Sequence, residues 1–203
     1  MRRFLALGDS YTIGEGVAPA ESWPTRLQAS LAASGIELAP PEIVATTGWT
    51  TGELLTGIAA AAPAGPFELV SLLIGVNNQY RGGLLGEYRA EFRKLLERAI
   101  AFAGGRSRRV LVLSIPDWSV TPFAEGRDQG AIAAQIDRFN DVARREAAER
   151  RAAWVDVTPV SRRLGHLAEY LVADGLHPSG RMYAEWARLA EPAALAALGI
   201  AKR

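Results

Sequence analysis

Residues 3–11 of the chain read RFLALGDSY, a short apolar run followed at once by a glycine, an acid and a serine. The run Arg3–Leu7 predicts a buried β-strand, because polar residues do not alternate with the apolar ones. The residues that follow, Gly8, Asp9 and Ser10, are typical of a tight turn. The chain therefore begins with a strand that delivers a serine hydroxyl into a turn.

Four further apolar runs resemble the first: Ile43–Thr46, Leu69–Ile74, Val110–Ile115 and Trp154–Val157. Their composition suits strands that are covered on both faces. Because they alternate with segments of helical periodicity, they predict a parallel sheet with helices on both sides, a three-layer α/β/α fold. The chain contains no repeat, low-complexity tract or long linker, so residues 1–203 are expected to form a single domain.

Three helices have clear sequence signals. The first has an apolar stripe that ends at Gly104-Gly105: Leu85, Tyr88, Phe92, Leu95, Leu96 and Ala99. The second has Asp128 as a candidate N-cap before Ile132, Ile136, Phe139 and Ala143. The third has Ser179 as a candidate N-cap before Met182, Trp186 and Leu189, and Pro192 is expected to end or kink it.

Composition excludes several function classes. A net charge of +1 argues against a nucleic-acid partner. The absence of cysteine excludes disulfides and thiolate metal sites. Two histidines are too few for a histidine-rich metal site. No apolar run is long enough for a membrane span, and the run before Gly8 is too short for a secretory leader. A cytoplasmic protein is expected.

Polar residues follow every predicted strand. Since ligands bind outside the carboxyl ends of strands in open α/β sheets, these residues are expected to meet at one edge. They form five groups: Gly8–Tyr11, Thr47–Trp49, Gly75–Asn78, Pro116–Trp118 and Asp174–Pro178. A hydroxyl, a carboxamide, a glycine amide and an Asp/His pair are the parts of an acyl-transfer site.

A serine becomes a nucleophile near neutral pH only beside a base. The base for Ser10 is either His166 or His177. His177 has Asp174 three residues upstream, which can hold one ring nitrogen while the other faces the hydroxyl. His166 has no such acid and is interpreted as a surface or helix-end residue.

Negative charge on the carbonyl oxygen of a tetrahedral intermediate requires positioned donors. Gly48 and Ser10 can offer backbone N–H groups, and Asn77 can offer a side-chain N–H. Considered without the other residues, Gly48 is interpreted as an ordinary turn residue and Asn77 as a structural cap.

In order, these residues resemble the four blocks of the SGNH hydrolases, the GDSL esterases and lipases: Gly8-Asp9-Ser10, Gly48, Gly75-x-Asn77 and Asp174-x-x-His177. The resemblance implies a flavodoxin-like five-stranded sheet and a serine esterase without metal or organic cofactor. It also implies a triad of Ser10, His177 and Asp174, and an oxyanion hole made by Ser10, Gly48 and Asn77. Two positions depart from the family pattern: Asn78 replaces a frequent aspartate, and the asparagine often found before Gly48 is missing. The nucleophile elbow of α/β-hydrolases is absent.

Five aromatic residues are expected near the active edge: Tyr11, Trp49, Tyr80, Trp118 and Phe123. They either line a substrate pocket or pack beneath the loops. Bulky rings beside Gly48 and Asn77 favour small-molecule esters of short acyl chain. Arg81 is interpreted as a solvated loop residue, with contact to an anionic substrate as the alternative.

Two other functions stay open from the sequence. One is a thioesterase or lysophospholipase that uses the same triad. The other is a flavodoxin-like binding module without catalysis. The sequence makes no prediction about the oligomeric state.

Overall fold

The computed structural model describes residues 1–200 and contains a five-stranded sheet in which neighbouring strands are parallel. The strands are β1 (Phe4–Gly8), β2 (Glu42–Ala45), β3 (Leu69–Leu73), β4 (Val110–Leu113) and β5 (Ala153–Val155). Their spatial order, β2-β1-β3-β4-β5, is the flavodoxin-like order of doubly wound sheets. The predicted fold is confirmed, and the strands match their predicted ranges closely.

Helices cover both faces of the sheet. Within residues 1–200 they are α1 (Ser10–Ile13), α2 (Trp23–Ala33), α3 (Thr51–Ala61), α4 (Val76–Tyr80), α5 (Leu85–Phe102), α6 (Gln129–Glu149), α7 (Thr158–Leu164) and α8 (Gly180–Ala197). α2 packs on α8, whereas α5 packs on both α3 and α6. These two groups of helices form the two outer layers. After β2 the chain changes its direction across the sheet. Because crossovers between parallel strands are right-handed, the connections before and after this change lie on opposite faces.

Burial differs between the central and the edge strands. Every residue of β1, β3 and β4 is buried. In β2 only Val44 is fully buried, and in β5 only Val155. The expectation that all strands are covered on both faces is therefore wrong for the two edges, because each edge strand has a single neighbour and lies at the rim of the helical layers.

The sequence signals for α5 and α6 correspond to real helix ends. Beyond α5, Gly104 and Gly105 have positive φ, and their N–H groups donate to the carbonyls of Ala101 and Ile100. This pattern is a Schellman motif. Asp128 caps α6 by accepting a hydrogen bond from the N–H of Ala131 at 2.9 Å.

Pro192 does not end α8, which continues to Ala197. A proline inside a helix removes one backbone hydrogen bond and costs about 3 kcal/mol in an exposed helix. Here the apolar face is buried on both sides of the proline, at Trp186, Ala190, Ala194 and Leu195. Packing of that face outweighs the missing hydrogen bond. Ser179 precedes the helix as expected, but its hydroxyl donates to the carbonyl of Glu169 instead of capping.

Strand register decides which loops begin side by side. Gly8 at the end of β1 pairs with Ala45 at the end of β2 and with Leu73 at the end of β3. Three loops thus leave the sheet at the same level, at the point where the strand order reverses. Ligands bind at this point in open α/β sheets.

One hydrophobic cluster runs through the molecule, from Phe4 in β1 to Leu195 in α8. Since domains are built around separate cores, we propose that the chain forms a single domain.

Candidate active site

Three side chains from distant parts of the chain meet at the carboxyl edge of the sheet. The Oγ atom of Ser10 lies 3.0 Å from Nε2 of His177. The other ring nitrogen of His177, Nδ1, lies 2.6 Å from Oδ2 of Asp174. With Nδ1–H donating to the carboxylate, Nε2 is free to accept the proton of the Ser10 hydroxyl.

Asp174 also shapes the loop that carries His177. Its Oδ1 atom accepts the backbone N–H groups of Leu176 at 2.8 Å and His177 at 2.9 Å, while Oδ2 holds the imidazole. The loop is closed by the backbone bond from Val172 N–H to the carbonyl of His177. One carboxylate therefore sets both the backbone and the ring orientation of the histidine.

The same contacts keep Asp174 ionised. Partial burial acts to raise the pKa of this carboxyl. The hydrogen bonds from the His177 ring, and from the backbone of His177 and Leu176, outweigh burial and hold the pKa below its ordinary value.

Ser10 is the first residue of α1, and only 4% of its surface is exposed. Asp9 caps this short helix by accepting the N–H of Tyr11 at 3.0 Å. Gly8 is required for space and not for unusual dihedral angles. A Cβ atom at Gly8 would lie 2.1 Å from Oγ1 of Thr12 and 2.5 Å from the carbonyl of Leu73.

Gly48 occupies the third position of a β-turn. The N–H of Trp49 donates to the carbonyl of Thr46 at 3.2 Å, and Gly48 has φ of 85° while Thr47 does not have positive φ. These values define a type II turn, for which a glycine at the third position is the usual choice. In a type I turn the ψ of Thr47 would differ by roughly 150°, and the Gly48 N–H would point the other way.

Asn77 lies in the first turn of α4, directly beyond β3. One of its side-chain N–H groups donates to the carbonyl of Trp49 at 2.9 Å. The amide carries two donors, so a second N–H remains for a ligand. Asn77 lines the same cavity as Ser10, Gly48 and His177.

That cavity measures about 160 Å³ and is mostly apolar. Tyr80, Trp118 and Phe123 form one wall, with ring centroids 5.6–6.2 Å apart. Trp118 is fixed by its Nε1 hydrogen bond to Gln79 at 2.9 Å. Tyr11 lies beside the His177 ring, with centroids 5.6 Å apart. These contacts make a pre-formed apolar cavity with a polar end.

The structure brings together Ser10, Asp174, His177, Gly48 and Asn77 as expected, but it does not bring Trp49 to the cavity. The indole of Trp49 lies against Gly57 of α3, where an added Cβ would be 2.1 Å from the ring. The missing side chain at Gly57 leaves room for the indole there. His166 is exposed, two residues beyond the end of α7. It does not line the cavity that contains Ser10, so the structure does not favour it as the base.

Asn78 belongs to a hydrogen-bond chain that links three elements. Its Oδ1 accepts the N–H of Thr51 at 3.0 Å, and its Nδ2 donates to the Thr51 hydroxyl at 2.7 Å. Having accepted this bond, the hydroxyl donates its proton to Glu91 of α5. Asn78 of α4 is thereby connected to the start of α3 and, through the Thr51 hydroxyl, to α5.

Other residues at the site carried no sequence signal. Val76 and Leu176 line the cavity, and Gln79 holds Trp118. Arg81, interpreted from the sequence as a solvated loop residue, instead donates to the Gly48 carbonyl at 2.6 Å. Nothing in the sequence distinguishes an apolar or amide side chain beside a motif from the same residue type elsewhere, because its contacts form only when the loops fold.

Asp9 is buried directly beside the serine, and burial raises its pKa to about 7 although the N–H of Tyr11 opposes the shift. Its Oδ2 atom has no hydrogen-bond partner within residues 1–200. In the folded protein this carboxyl is therefore protonated in the weakly acidic range, where an ordinary aspartate is ionised.

Comparison with known proteins identifies the family of the chain. The profile described as the GDSL-like Lipase/Acylhydrolase family matches residues 6–185, so the chain belongs to that family. It is accordingly a serine hydrolase that acts on ester bonds. No curated protein sequence matches the chain significantly.

Solved structures share the fold over nearly the whole chain. A crystal structure of TesA has a TM-score of 0.76 at 22% identity, covering 97% of this chain and 100% of the other. A lipase/acylhydrolase from Enterococcus faecalis has a TM-score of 0.69 at 25% identity, covering 95% and 94%. A variant of Axe2, an acetyl-xylooligosaccharide esterase from Geobacillus Stearmophilus, has a TM-score of 0.70 at 20% identity, covering 100% and 97%.

Two other features are absent from the described part of the chain. Residues 1–200 contain no group of three or more histidine and acidic side chains arranged to hold a metal ion. None of their helices is long and apolar enough to cross a membrane.

Asp9→Asn tests the buried carboxyl. A raised pKa means that the folded state retains a proton which the unfolded state releases between about pH 4 and pH 7. Stability of the wild type should therefore fall over this range relative to Asp9→Asn, by ~4 kcal/mol in total, and the difference should stay constant above pH 7. Urea unfolding from pH 4 to pH 8 measures it, with the exposed Asp141→Asn as control. A pH-independent difference would contradict the assignment.

Asn78→Asp tests the hydrogen-bond chain. Both Thr51 groups would then donate to the new carboxylate, and Glu91 would face it without a proton between them. The free energy of unfolding at pH 7 should fall by about 1–3 kcal/mol. Adding Glu91→Gln should restore most of the loss, because an amide can donate where the carboxylate could not. A double variant that is no more stable than Asn78→Asp alone would contradict the hydrogen-bond chain from Asn78 through Thr51 to Glu91.

Proposed function

We propose that the protein hydrolyses small carboxylic esters of short acyl chain through a Ser10–His177–Asp174 triad and an acyl-enzyme intermediate. The observation that carries the proposal is the 3.0 Å separation between Ser10 Oγ and His177 Nε2, with Asp174 on the other ring nitrogen. This is hydrogen-bond distance for a nucleophile and its base.

In the first half of the reaction His177 takes the Ser10 proton as the hydroxyl oxygen attacks the ester carbonyl. Asp174 stabilises the imidazolium that forms and fixes its tautomer. His177 then gives the proton to the alcohol oxygen as the ester bond breaks, which leaves the acyl group on Ser10. Water then attacks the carbonyl of the acyl-enzyme and gives a proton to His177. His177 returns this proton to Ser10 Oγ as the bond between Oγ and the acyl carbon breaks and the carboxylic acid leaves.

The oxyanion of each tetrahedral intermediate would accept hydrogen bonds from three donors. These are the backbone N–H of Ser10 at the start of α1, the backbone N–H of Gly48 and the free side-chain N–H of Asn77. All three residues line the cavity. They come from the three loops that leave β1, β2 and β3 in register, so their spacing depends on the sheet.

Short acyl chains are favoured by the size and walls of the cavity. At about 160 Å³ it is smaller than the 300–1,000 Å³ typical of sites for drug-sized ligands. Tyr80, Trp118 and Phe123 restrict it on one side. Acetyl and butyryl groups fit such a space better than long chains do.

Ser10→Ala should abolish turnover while preserving the fold. In triad enzymes, loss of the serine lowers kcat by roughly six orders of magnitude. The measurement is kcat/KM on p-nitrophenyl esters from acetate to octanoate, with acyl-CoA and an acetylated sugar beside them, and circular dichroism for the fold. The wild type should prefer the shortest esters, and a fluorophosphonate should label Ser10 stoichiometrically.

Ser30→Ala on α2 serves as the control and should behave as the wild type. Appreciable turnover of p-nitrophenyl acetate by Ser10→Ala would reject the triad. A preference for acyl-CoA, or for long chains, would instead favour the thioesterase or lysophospholipase with the same residues. Failure of both labelling and turnover would favour a binding module.

Asn77→Ala should lower kcat by about two to three orders of magnitude, because a positioned oxyanion donor is lost. Asn77→Asp has nearly the same shape but no N–H, so it separates the donor from the packing of the side chain. Both variants are to be assayed on p-nitrophenyl acetate, with thermal melts to verify folding. Folded variants with wild-type kcat would remove Asn77 from the mechanism.

A further inference from the structure

Arg81 lies one helical turn beyond Asn77, where α4 ends. Its backbone N–H donates to the carbonyl of Asn77 at 3.1 Å. Its guanidinium turns back toward the turn that contains Gly48. Nη2 donates to the Gly48 carbonyl at 2.6 Å, and Nη1 lies 3.2–3.3 Å from both carboxylate oxygens of Glu53.

Glu53 is itself fixed at the start of α3. It forms a capping box with Thr50, whose side chain accepts the N–H of Glu53 while the carboxylate accepts the N–H of Thr50. The backbone and hydroxyl of Thr50, and then Arg81, lower the pKa of the Glu53 carboxyl, so it remains charged near neutral pH. The guanidinium therefore has a fixed anion on one side and the Gly48 carbonyl on the other.

Stability does not account for this arrangement. The side chains of Arg81 and Glu53 are 50% and 46% exposed, and ion pairs of this kind contribute little to folding. The contact with a backbone carbonyl is different, because it constrains a residue that has no side chain of its own. A fork of N–H donors is suited to holding an oxygen in one direction.

Gly48 needs such a constraint. Glycine has the widest choice of backbone angles, so the position of the Gly48 N–H depends on how firmly the peptide groups next to it are held. Residues 77 and 81 are four apart, so they lie on the same face of α4. Asn77 holds the carbonyl of Trp49 and Arg81 holds that of Gly48, which are consecutive peptide groups.

We infer that Arg81 is a positioning residue for the oxyanion hole: from the end of α4 it holds the peptide group that follows Gly48, which keeps the turn in place and the Gly48 N–H directed at the carbonyl oxygen of the ester. This inference rests on the proposed role of Gly48 in ester hydrolysis. Arg81 touches neither the substrate nor the reacting atoms. Its effect belongs to the rate of the chemical step and not to substrate binding.

Arg81→Gln is the principal test, assayed on p-nitrophenyl acetate. Since small misplacements of reacting groups cost up to about 100-fold in rate, kcat should fall roughly 10-fold to 100-fold. KM should change less than about twofold, because ground-state binding is unaffected. The rate of Ser10 labelling by a fluorophosphonate should fall with kcat. Arg144→Gln, which breaks an exposed ion pair to Asp141 on α6, is the matched control and should keep full activity.

A double-mutant cycle separates action through Gly48 from any other effect. Gly48→Ala alone should lower kcat, since an alanine at that φ is strained. Adding Arg81→Gln to Gly48→Ala should then lower kcat by less than about twofold, because the group that Arg81 positions is already displaced. Losses that multiply would overturn the inference.

Two further outcomes would also overturn it: an Arg81→Gln enzyme as active as Arg144→Gln, or one whose KM rises at constant kcat. If Arg81→Gln is unstable by thermal melt, Arg81→Lys takes its place. A lysine can reach the Gly48 carbonyl with a single point donor, so an intermediate kcat supports the inference and a wild-type kcat opposes it. Each of these outcomes can be distinguished from failure of the proposed function, which would show as activity retained by Ser10→Ala.

Discussion

Backbone hydrogen bonds between β1 and its two neighbours determine where the candidate active site can exist. Gly8 is paired with Ala45 on one side and Leu73 on the other, so three loops start level with one another. Ser10, Gly48 and Asn77 then need only two to four residues each to reach a common point. A shift of one residue in either pairing would move a donor by more than 3 Å and turn its strand over.

Beyond the sheet, the site is held by side-chain hydrogen bonds, within the His177 loop and between the loops that follow β2 and β3. Asp174 aligns His177, Asn77 binds the carbonyl of Trp49, and Asn78 binds both polar groups of Thr51. Two of these bonds, to the Trp49 carbonyl and from the Thr51 N–H, satisfy backbone groups that a folded loop could not leave unpaired. The same bonds that make the loops foldable therefore also give the donors a fixed direction, as electrostatic catalysis requires.

Sequence alone could predict the strands, the sheet order implied by the family resemblance, and the residues that meet at the carboxyl edge. These features depend on local composition and on short motifs. It could not predict the position of Trp49, because the space over Gly57 exists only after α3 has packed. Nor could it predict that α8 passes through Pro192, where burial of one face outweighs a local preference. Arg81 has its partners 28 and 33 residues away, and Asn78 has its partner Thr51 27 residues away, beyond the reach of any local pattern.

The strand that precedes Gly48 is an exposed edge of the sheet. β2 has a single neighbour, and only Val44 of its residues is fully buried. Edge strands open at lower free energy than central ones. Fraying of β2 would displace the proposed oxyanion donor Gly48, while Ser10, which follows the central strand β1, and His177 stayed in contact. Mild heat or denaturant would then slow catalysis before the protein unfolds. Activity would decline at a lower temperature, or a lower denaturant concentration, than the helical content.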